Sequence, residues 1–280
     1  MSRTSKRRTD LELTRRNMVF GVALGATALA GQVVCGNPVK AQPTGTGTVL
    51  ITGANRGIGL ELARTYATHG WKVIATARRP DEADDLKAIA AEHPQLSIEQ
   101  LDVQDHAMID ALAEKLEGQP IDVLLNNAAI LGGRENQEYP KLNFDMFEPV
   151  MTTNVEGPVK MCEAFLEHVA MSDRKKLIAI TSRQGSIGSL FESSLIFYKS
   201  SKSALNMAMS VVAMRVADRG ITVGLISPGA VDTRMMKNLG VIIPLITPAE
   251  SARLVSGVID GLTFEQSGIF ISHTSKELPW

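Results

Sequence analysis

The sequence predicts an α/β fold in which a parallel β-sheet is covered by helices on both faces. Three observations support this prediction. Short apolar or β-branched runs alternate with helical patterns from Thr48 to Ser272. These runs are too continuously apolar for strands with one exposed face, as expected when a sheet is buried on both sides. The first run leads through a glycine-rich turn into a helix, the unit that begins a doubly wound, Rossmann-type sheet.

Residues 1–41 differ in composition from the rest of the chain and predict a cleavable export signal. Arg15 and Arg16 precede an apolar run that reaches about Val34 and contains several glycines, and Ala41 completes a V-x-A cleavage pattern. Paired arginines at this place are typical of a signal read by the twin-arginine export machinery, so we expect a periplasmic protein. The run is shorter than the ~20 apolar residues that span a bilayer. An uncleaved membrane anchor, or an extension of a cytoplasmic protein, remains the alternative.

Residues 42–47 are expected to link this signal to one domain over residues 48–280. Residues 1–41 hold seven basic and two acidic residues, so the 29 basic and 30 acidic residues of the chain become 22 and 28, a net charge of −6. An acidic domain argues against nucleic-acid binding. Of the two cysteines only Cys162 lies outside the signal, which excludes an internal disulfide. No motif indicates a metal site.

A glycine-rich turn follows the first predicted strand, residues 48–52. Its G-x-x-x-G-x-G spacing allows a tight turn and the close approach of a ligand, and the helix that follows presents free N–H groups to an anion. We therefore expect the turn to bind the phosphates of a dinucleotide, with a purely structural turn as the alternative. The residues of this turn are Gly53, Arg56, Gly57, Ile58 and Gly59.

The second strand, Lys72–Ala77, ends in Arg78 and Arg79. About 20 residues after the glycine turn, proteins that bind NAD carry an acidic residue for the ribose hydroxyls. Arginine stands there instead, and Arg56 lies in the turn. Two guanidinium groups suit the 2′-phosphate of NADP, so we expect NADP(H) as the cofactor. A solvated basic strand end is the alternative.

Three further strands are expected at 96–101, 121–125 and 177–181. In parallel sheets of this kind, ligands bind at the carboxyl edge of the sheet, where these strands end. The residues that follow the three strands are Asp102 and Val103, then Asn126 and Asn127, then Ser182.

Helices are expected around these strands. Asp105 can cap one that runs to Leu116, and a long helix over residues 144–171 contains Asn154. The last part of the chain predicts a strand at 221–226, a helix that begins at Pro248 with Thr247 as its cap, and a final strand at 268–272.

Tyr198 and Lys202 begin another predicted helix, and their spacing of four places them on one face. A buried ammonium beside a phenol favours the phenolate. We therefore expect the pKa of Tyr198 to fall below its usual value of about 10, which would make it an acid or base nearer neutrality. A Tyr-x-x-x-Lys spacing also occurs by chance in many helices.

Together these motifs resemble those of the short-chain dehydrogenase/reductase family over residues 48–280. T-G-x-x-x-G-I-G begins at Thr52, N-N-A-x at Asn126, and P-G-x-V-x-T at Pro228. Ala129 replaces the glycine usual in N-N-A-G, a difference of one methyl group. The position of Ser182, 16 residues before Tyr198, and the ending Lys-Glu-Leu-Pro-Trp resemble the sniffer-like and C-factor-like carbonyl reductase branch.

The resemblance implies reversible hydride transfer between a nicotinamide cofactor and a small-molecule carbonyl or alcohol. Tyr198 would protonate the developing alkoxide, Ser182 would donate a hydrogen bond to it, and Lys202 would bind the nicotinamide ribose. Asn154 would hold a water that relays protons. The implied cofactor contacts are Thr52, Gly53, Arg56, Gly57, Ile58, Gly59, Arg78, Asp102, Val103, Asn127, Pro228 and Thr233.

Four questions stay open at the level of sequence. Ser186, 12 residues before Tyr198, is the alternative to Ser182, which is favoured because it directly ends a strand. Segments 183–197 and 234–247 are expected to shape an apolar substrate pocket, although their apolar residues suit lid packing equally well. These apolar residues are Phe191, Phe197, Met235, Met236, Leu239 and Leu245. An NADP-binding regulatory protein is the competing class. The presence of all four implied catalytic residues argues against it, and these are Asn154, Ser182, Tyr198 and Lys202. The oligomeric state is also open, although the resemblance implies that helices of two copies of the chain can pair to form a homo-oligomer.

Overall fold

The computed structural model describes residues 42–190, 192–237, 239 and 243–280. The predicted export signal, residues 1–41, lies outside the described residues, so its cleavage and the location it implies stay predictions.

A seven-stranded parallel sheet forms the centre of the described chain, in the order β3-β2-β1-β4-β7-β8-β9. The order reverses between β1 and β4, where ligands bind in doubly wound sheets. The predicted Rossmann-type sheet is thus confirmed. A short antiparallel hairpin, β5–β6, lies outside it. The strands are β1 Thr48–Ile51, β2 Lys72–Ala77, β3 Leu96–Gln100, β4 Val123–Asn126, β5 Gln137–Glu138, β6 Lys141–Leu142, β7 Lys176–Ile180, β8 Thr222–Ser227 and β9 Ile269–Ser272.

Helices cover both faces of the sheet. None of those in the described ranges combines the length and the apolar composition that crossing a bilayer requires. Asp105 and Thr247 cap α3 and α9 through their side chains, as predicted. The helices are α1 Gly57–Thr68, α2 Asp84–Glu92, α3 His106–Lys115, α4 Phe147–Met151, α5 Gly157–Ala164, α6 Leu166–Ala170, α7 Ile196–Arg215, α8 Arg234–Lys237 and α9 Pro248–Gly261.

The long helix expected over residues 144–171 is interrupted, which corrects that prediction. A π-helical turn, Thr152–Glu156, separates α4 from α5. Pro158 explains the break, because proline has no N–H to donate to the carbonyl of Asn154 and its ring clashes with that carbonyl. The wider turn places Asn154 in the interior, and π-helical turns of this kind are frequent at functional sites.

Two apolar cores lie on the two faces of the sheet. On one face, α1 packs against α9, and Tyr66 and Trp71 are fully buried there with their rings 4.9 Å apart. On the other face, α3, α5 and α7 bury Phe165 and Met209. Burial of this apolar surface is the main stabilising contribution to such a sheet, and it fixes the strand ends that carry the site.

Residues 42–47, expected to form a linker, are held against the body of the domain. Pro43 is buried, and the Thr44 hydroxyl donates to the Asp260 carboxylate at 2.7 Å. Arg174 donates to the Thr44 carbonyl and to Asp260, at 2.8 Å for the latter, and its guanidinium lies 4.6 Å from the Trp71 ring centre. These contacts join the segment from Pro43 onward to the folded domain.

Candidate active site

The glycine turn after β1 has a shape that side chains would obstruct. Gly53 and Gly57 adopt φ of 66° and 58°, in the left-handed region that favours glycine. A Cβ atom on Gly59 would lie 2.3 Å from the Gly53 carbonyl oxygen and 2.5 Å from Nδ2 of Asn127. The turn therefore requires glycine at these positions and leaves the backbone open to a close ligand.

Thr52 and Asn127 hold this turn against the end of β4. The Thr52 hydroxyl oxygen accepts the backbone N–H groups of Asn127 and Ala128, both at 3.0 Å. The Asn127 side chain donates to the carbonyls of Thr52 and Gly53 at 3.0 and 3.1 Å. Both residues were predicted to contact a cofactor. Their side chains hold the cradle in shape, and their contact with a cofactor stays a prediction.

Helix α1 begins directly after the turn with unoccupied N–H groups. Arg56 has extended backbone at its N-cap, and no described side chain caps the helix or places an acid in its first turn. Such a helix end attracts anions through its free donors and its dipole. Thr233 lies beside it, since a Cβ on Gly57 would be 3.5 Å from the Thr233 methyl carbon. The loop after β8 therefore borders the predicted phosphate site.

Arg56 and Arg78 are exposed, and neither forms an ion pair within the part of the chain that the structure describes. Arg79 differs, because it pairs with Glu82 at 3.1 Å. An open depression of about 910 Å³ lies beside the ends of β2 and β3, away from Tyr198. Its lining includes Arg78, Arg79, Gln100, Asp102, Gln104 and His106.

Two further predicted cofactor contacts, Val103 and Pro228, follow β3 and β8 and are both buried. A Cβ on Gly157 would lie 2.6 Å from the Val103 carbonyl oxygen, so glycine there allows α5 to approach this loop. The Pro228 carbonyl accepts a hydrogen bond from Ser251 at 2.8 Å. Each residue lies at the carboxyl edge of the sheet, as predicted. Within the described ranges, no three His, Cys, Asp or Glu side chains are arranged so that they could hold a metal ion.

Tyr198 and Lys202 lie on the inward face of α7 and are 9% and 2% exposed. Ser182 follows β7, and its side chain lies close enough to that of Tyr198 to lower the pKa of the phenol. The Ser182 oxygen also accepts the N–H of Gln184 at 3.1 Å. Strand β7 and helix α7 thus bring together the serine and the tyrosine that the sequence placed 16 residues apart.

The protonation of this pair corrects one prediction. Burial raises the pKa of Tyr198 to about 12, with the Ser182 side chain acting in the opposite direction. Burial lowers the pKa of Lys202 to about 8. The Lys202 ammonium donates to the Ile180 carbonyl at 2.9 Å and lies 5.9 Å from the Tyr198 ring centre, so it does not offset the loss of solvent around the phenol. Tyr198 is therefore protonated at neutral pH.

Asn154 is fully buried in the π-helical turn and supports both sides of the site. Its amide accepts the Ile130 N–H and donates to the Ile130 carbonyl, both at 2.9 Å. It also donates to the Ser201 hydroxyl at 3.0 Å, and that hydroxyl donates to the Tyr198 carbonyl at 2.8 Å. These contacts give Asn154 a positioning role, and the water relay through it stays a prediction.

Ser186, the alternative active serine, is engaged elsewhere. Its hydroxyl donates to the Pro279 carbonyl at 2.6 Å and accepts the Ser189 N–H at 3.0 Å. The neighbouring Gly188 N–H donates to the Trp280 carbonyl oxygen at 2.6 Å. Ser186 therefore secures the last residues of the chain to the loop after β7, and the geometry favours Ser182 beside Tyr198.

A small apolar cluster surrounds the Tyr198 ring. Leu131 and Leu195 are buried against it, and Met235 and Leu239 pack on the same cluster. Phe197, which the sequence suggested for the substrate pocket, instead packs against Phe144 and Phe147 with ring centres 5.6 and 5.4 Å away. Phe191 lies outside the described residues.

Gln137 is a site residue that the sequence analysis missed. It is 1% exposed, and its side-chain oxygen accepts the backbone N–H of Tyr198 at 2.8 Å. It lies in the β5–β6 hairpin, 61 residues earlier in the chain. A single glutamine outside any motif gives no sequence signal for such a contact.

The sequence and fold together define a family. Residues 47–241 match the sequence model of the family described as short chain dehydrogenase. The chain therefore belongs to the short-chain dehydrogenase/reductase family and is an oxidoreductase, as the motifs indicated.

Similar proteins include curated enzymes and solved structures. A short chain dehydrogenase of Penicillium aethiopicum is 32% identical over 253 residues, which cover 83% of this chain and 99% of the relative. The NADPH-bound carbonyl reductase from chicken fatty liver is 31% identical, with a TM-score of 0.77 over 84% of this chain and 99% of that one. Carbonyl reductase Sniffer of D. melanogaster is 26% identical, with a TM-score of 0.77, and the match covers 84% of this chain and 100% of Sniffer. The resemblance to sniffer-like reductases noted in the sequence is thereby confirmed.

Proposed function

We propose that this chain is an NADP(H)-dependent carbonyl reductase. The observation that carries the proposal is the proximity of the Ser182 and Tyr198 side chains at the carboxyl edge of the sheet, on the same edge as the glycine cradle after β1. A protonated phenol beside a hydroxyl donor provides an acid and a stabilising partner for one substrate oxygen.

The glycine cradle fits a dinucleotide. Its backbone leaves no room for a Cβ on Gly59, and the N–H groups at the start of α1 suit a pyrophosphate. Arg56 and Arg78, exposed and without an ion pair among the described residues, suit a 2′-phosphate and hence NADP rather than NAD. The NADPH bound to the similar reductase from chicken fatty liver supports the same choice.

Each residue of the site then has a separate role in the reduction of the carbonyl group. When bound, a nicotinamide cofactor supplies the hydride. Tyr198 donates its proton to the carbonyl oxygen as that oxygen gains charge, and the Ser182 hydroxyl stabilises the charge by a second hydrogen bond. Lys202, whose pKa of about 8 lies near neutrality, can return a proton towards Tyr198. Asn154 keeps the backbone of the tyrosine helix in place through Ser201.

An apolar carbonyl compound is the substrate class that the site supports. Leu131, Leu195, Met235 and Leu239 form the apolar surroundings of the Tyr198 ring. Contact with such side chains favours aromatic or aliphatic aldehydes, ketones and quinones over charged or sugar-like substrates.

The test is NADPH oxidation by the full-length chain, followed at 340 nm with 4-nitrobenzaldehyde, acetophenone and phenanthrenequinone. The proposal predicts turnover of at least one carbonyl with a preference for NADPH over NADH. NADPH binding without turnover of any of the three would contradict reductase activity on apolar carbonyls and would favour the regulatory class of protein.

We also propose that residues 1–41 direct the chain to the periplasm through the twin-arginine machinery. The support is the Arg15-Arg16 pair before the apolar run. Replacing both arginines by lysine should retain the chain in the cytoplasm in a cell fractionation experiment. An unchanged distribution would contradict the proposal.

A further inference from the structure

The helix that carries Tyr198 begins without a cap of its own. Leu195 occupies the N-cap position, where an apolar side chain cannot accept a hydrogen bond, and its backbone is left-handed with φ of 63°. The first N–H bonded within the helix is that of Lys199, to the Leu195 carbonyl. The N–H groups before it, including that of Tyr198, therefore need partners from outside the helix.

Gln137 supplies the partner for Tyr198. Its side-chain oxygen accepts the Tyr198 N–H at 2.8 Å, while its amide nitrogen donates to the carbonyls of Leu131 and Gly133 at 2.7 and 2.8 Å. Only this orientation of the amide satisfies all three contacts, because a reversed amide would face N–H against N–H and oxygen against two carbonyls. The side chain thus bridges two segments of the site.

The loop that Gln137 reaches is also held from its other end. Asn154 bonds both backbone groups of Ile130, directly before Leu131, at 2.9 Å. Leu131 itself packs against the Tyr198 ring in the apolar cluster. Gln137 therefore connects the backbone of the tyrosine to the same loop that its ring contacts.

The Tyr198 backbone is consequently fixed at both of its polar groups. The Gln137 side-chain oxygen accepts a hydrogen bond from the Tyr198 N–H. The Ser201 hydroxyl accepts from Asn154 and donates to the Tyr198 carbonyl. We propose that Gln137 is a positioning residue for the reaction: it caps the catalytic helix from a distant hairpin and sets the distance of the Tyr198 hydroxyl from Ser182. This inference rests on the proposed role of Tyr198 as the acid.

The first variant is Gln137→Met, which keeps the length of the side chain and removes all three hydrogen bonds. We expect kcat with phenanthrenequinone to fall about 10- to 100-fold, the loss typical of a catalytic group misplaced by about 1 Å. The dissociation constant for NADPH should stay unchanged, because Gln137 does not contact the glycine cradle. Rates are normalised to sites titrated with NADPH, so that misfolded protein does not enter the comparison.

The second variant, Gln137→Glu, keeps an oxygen that can accept the Tyr198 N–H. Burial favours its neutral carboxylic acid, whose O–H can donate to only one of the Leu131 and Gly133 carbonyls. This variant should lie between wild type and Gln137→Met in kcat. The matched control is Gln95→Met, which removes one amide contact to the Ala67 carbonyl far from the site and should leave kcat unchanged.

Hydrogen exchange at the Tyr198 amide provides a readout that general loss of stability does not reproduce. The order of exchange rates should be Gln137→Met fastest, Gln137→Glu intermediate and wild type slowest, with the remaining amides of α7 unaffected. If Gln137→Met yields no folded protein, Gln137→Glu decides the question by the same two readouts.

Wild-type kcat in Gln137→Met, or equal loss of kcat in the Met and Glu variants, would overturn the inference. Turnover that survives Tyr198→Phe would instead overturn the proposed function. If the wild-type chain turned over no carbonyl, the reductase proposal would fail. Separately, an unchanged rate of hydrogen exchange at the Tyr198 amide in Gln137→Met would overturn the capping contact.

Discussion

The Nζ atom of Lys202 lies 5.9 Å from the centre of the Tyr198 ring and donates its hydrogen bond to the Ile180 carbonyl instead of the phenol. The lysine therefore leaves Tyr198 protonated in the protein without cofactor. Burial raises the pKa of Tyr198 to about 12 and lowers the pKa of Lys202 to about 8. Below pH 8 Lys202 is thus an ammonium group and Tyr198 a neutral phenol, which are the protonation states that the proposed proton donation requires.

The stability of the cofactor-free protein should increase between pH 8 and 10 because of Lys202. Its pKa falls from 10.5 in the unfolded chain to about 8 in the folded one, so the unfolded state binds more protons in this range and the free energy of unfolding rises with pH. The contribution of one such group is at most about 1.4 kcal/mol per pH unit. Below pH 8 the penalty for burying the charge is fully present.

The Lys202→Met variant tests this in urea unfolding at pH 7, 8, 9 and 10. The free energy of unfolding of Lys202→Met should exceed that of wild type by the largest amount at pH 7. This difference should become smaller towards pH 10. Lys176 also has a pKa lowered to about 8 by burial, so Lys176→Met serves as a second variant with the same sign. A difference between Lys202→Met and wild type that does not depend on pH would contradict the lowered pKa.

Ser182 and Ser186 offer a matched pair of substitutions. Ser182→Ala removes the hydroxyl beside Tyr198 and should lower kcat about 100- to 1,000-fold, as loss of one oxyanion donor typically does. Ser186→Ala should lose about 0.5–1.5 kcal/mol of stability, the usual net contribution of one hydrogen bond, because Pro279 is exposed and its carbonyl can bond to water; the loss of kcat should be far smaller. Steady-state rates and thermal unfolding of both variants check this. The reverse order of kcat losses would assign the active serine to Ser186.

Gly59→Ala should impair NADPH binding through the shape of the cradle. The added methyl group would lie 2.3 Å from the Gly53 carbonyl oxygen, and relieving such a contact costs about 1–3 kcal/mol. We expect the dissociation constant for NADPH, measured by calorimetry, to rise about 10- to 100-fold. Gly261→Ala is the control, since a Cβ there meets nothing within 4 Å. Equal affinities for the two variants would exclude the turn after β1 as the phosphate site.

Arg78→Ala should change the preference between cofactors. Removing a charge-assisted hydrogen bond to a 2′-phosphate costs about 1.5–3 kcal/mol, so the dissociation constant for NADPH should rise about 10- to 100-fold while that for NADH stays constant. Arg79→Ala, which breaks only the pair with Glu82, should preserve the preference. An equal rise in the dissociation constants for NADPH and NADH in Arg78→Ala would show that this arginine does not bind the 2′-phosphate.

Much of the fold was predictable because local patterns determine it. The strand at Lys72–Ala77 and the caps at Asp105 and Thr247 follow from residue type and short-range spacing. The interruption at Thr152–Glu156 was missed although Pro158 signals it, because the apolar periodicity continues through the break. A proline inside a helical pattern was the sequence signal available.

The finer features of the site depend on contacts between distant residues. Gln137 meets Tyr198 across 61 residues, and Ser186 meets Pro279 across 93, so neither pairing is visible in a local pattern. The direction of the Tyr198 pKa was wrong at the level of sequence for a similar reason. The sequence shows that a lysine is four residues away, but burial of the phenol and the Ile180 carbonyl that accepts from Lys202 appear only in three dimensions.

The most direct test of the reductase proposal is the Tyr198→Phe variant in a single turnover of bound NADPH with phenanthrenequinone. This substitution removes only the hydroxyl that donates the proton. The account predicts a rate lower by about 100- to 10,000-fold, the usual contribution of a general acid, with NADPH affinity retained. Hydride transfer at the wild-type rate in Tyr198→Phe would show that Tyr198 is not the acid and would contradict the central claim.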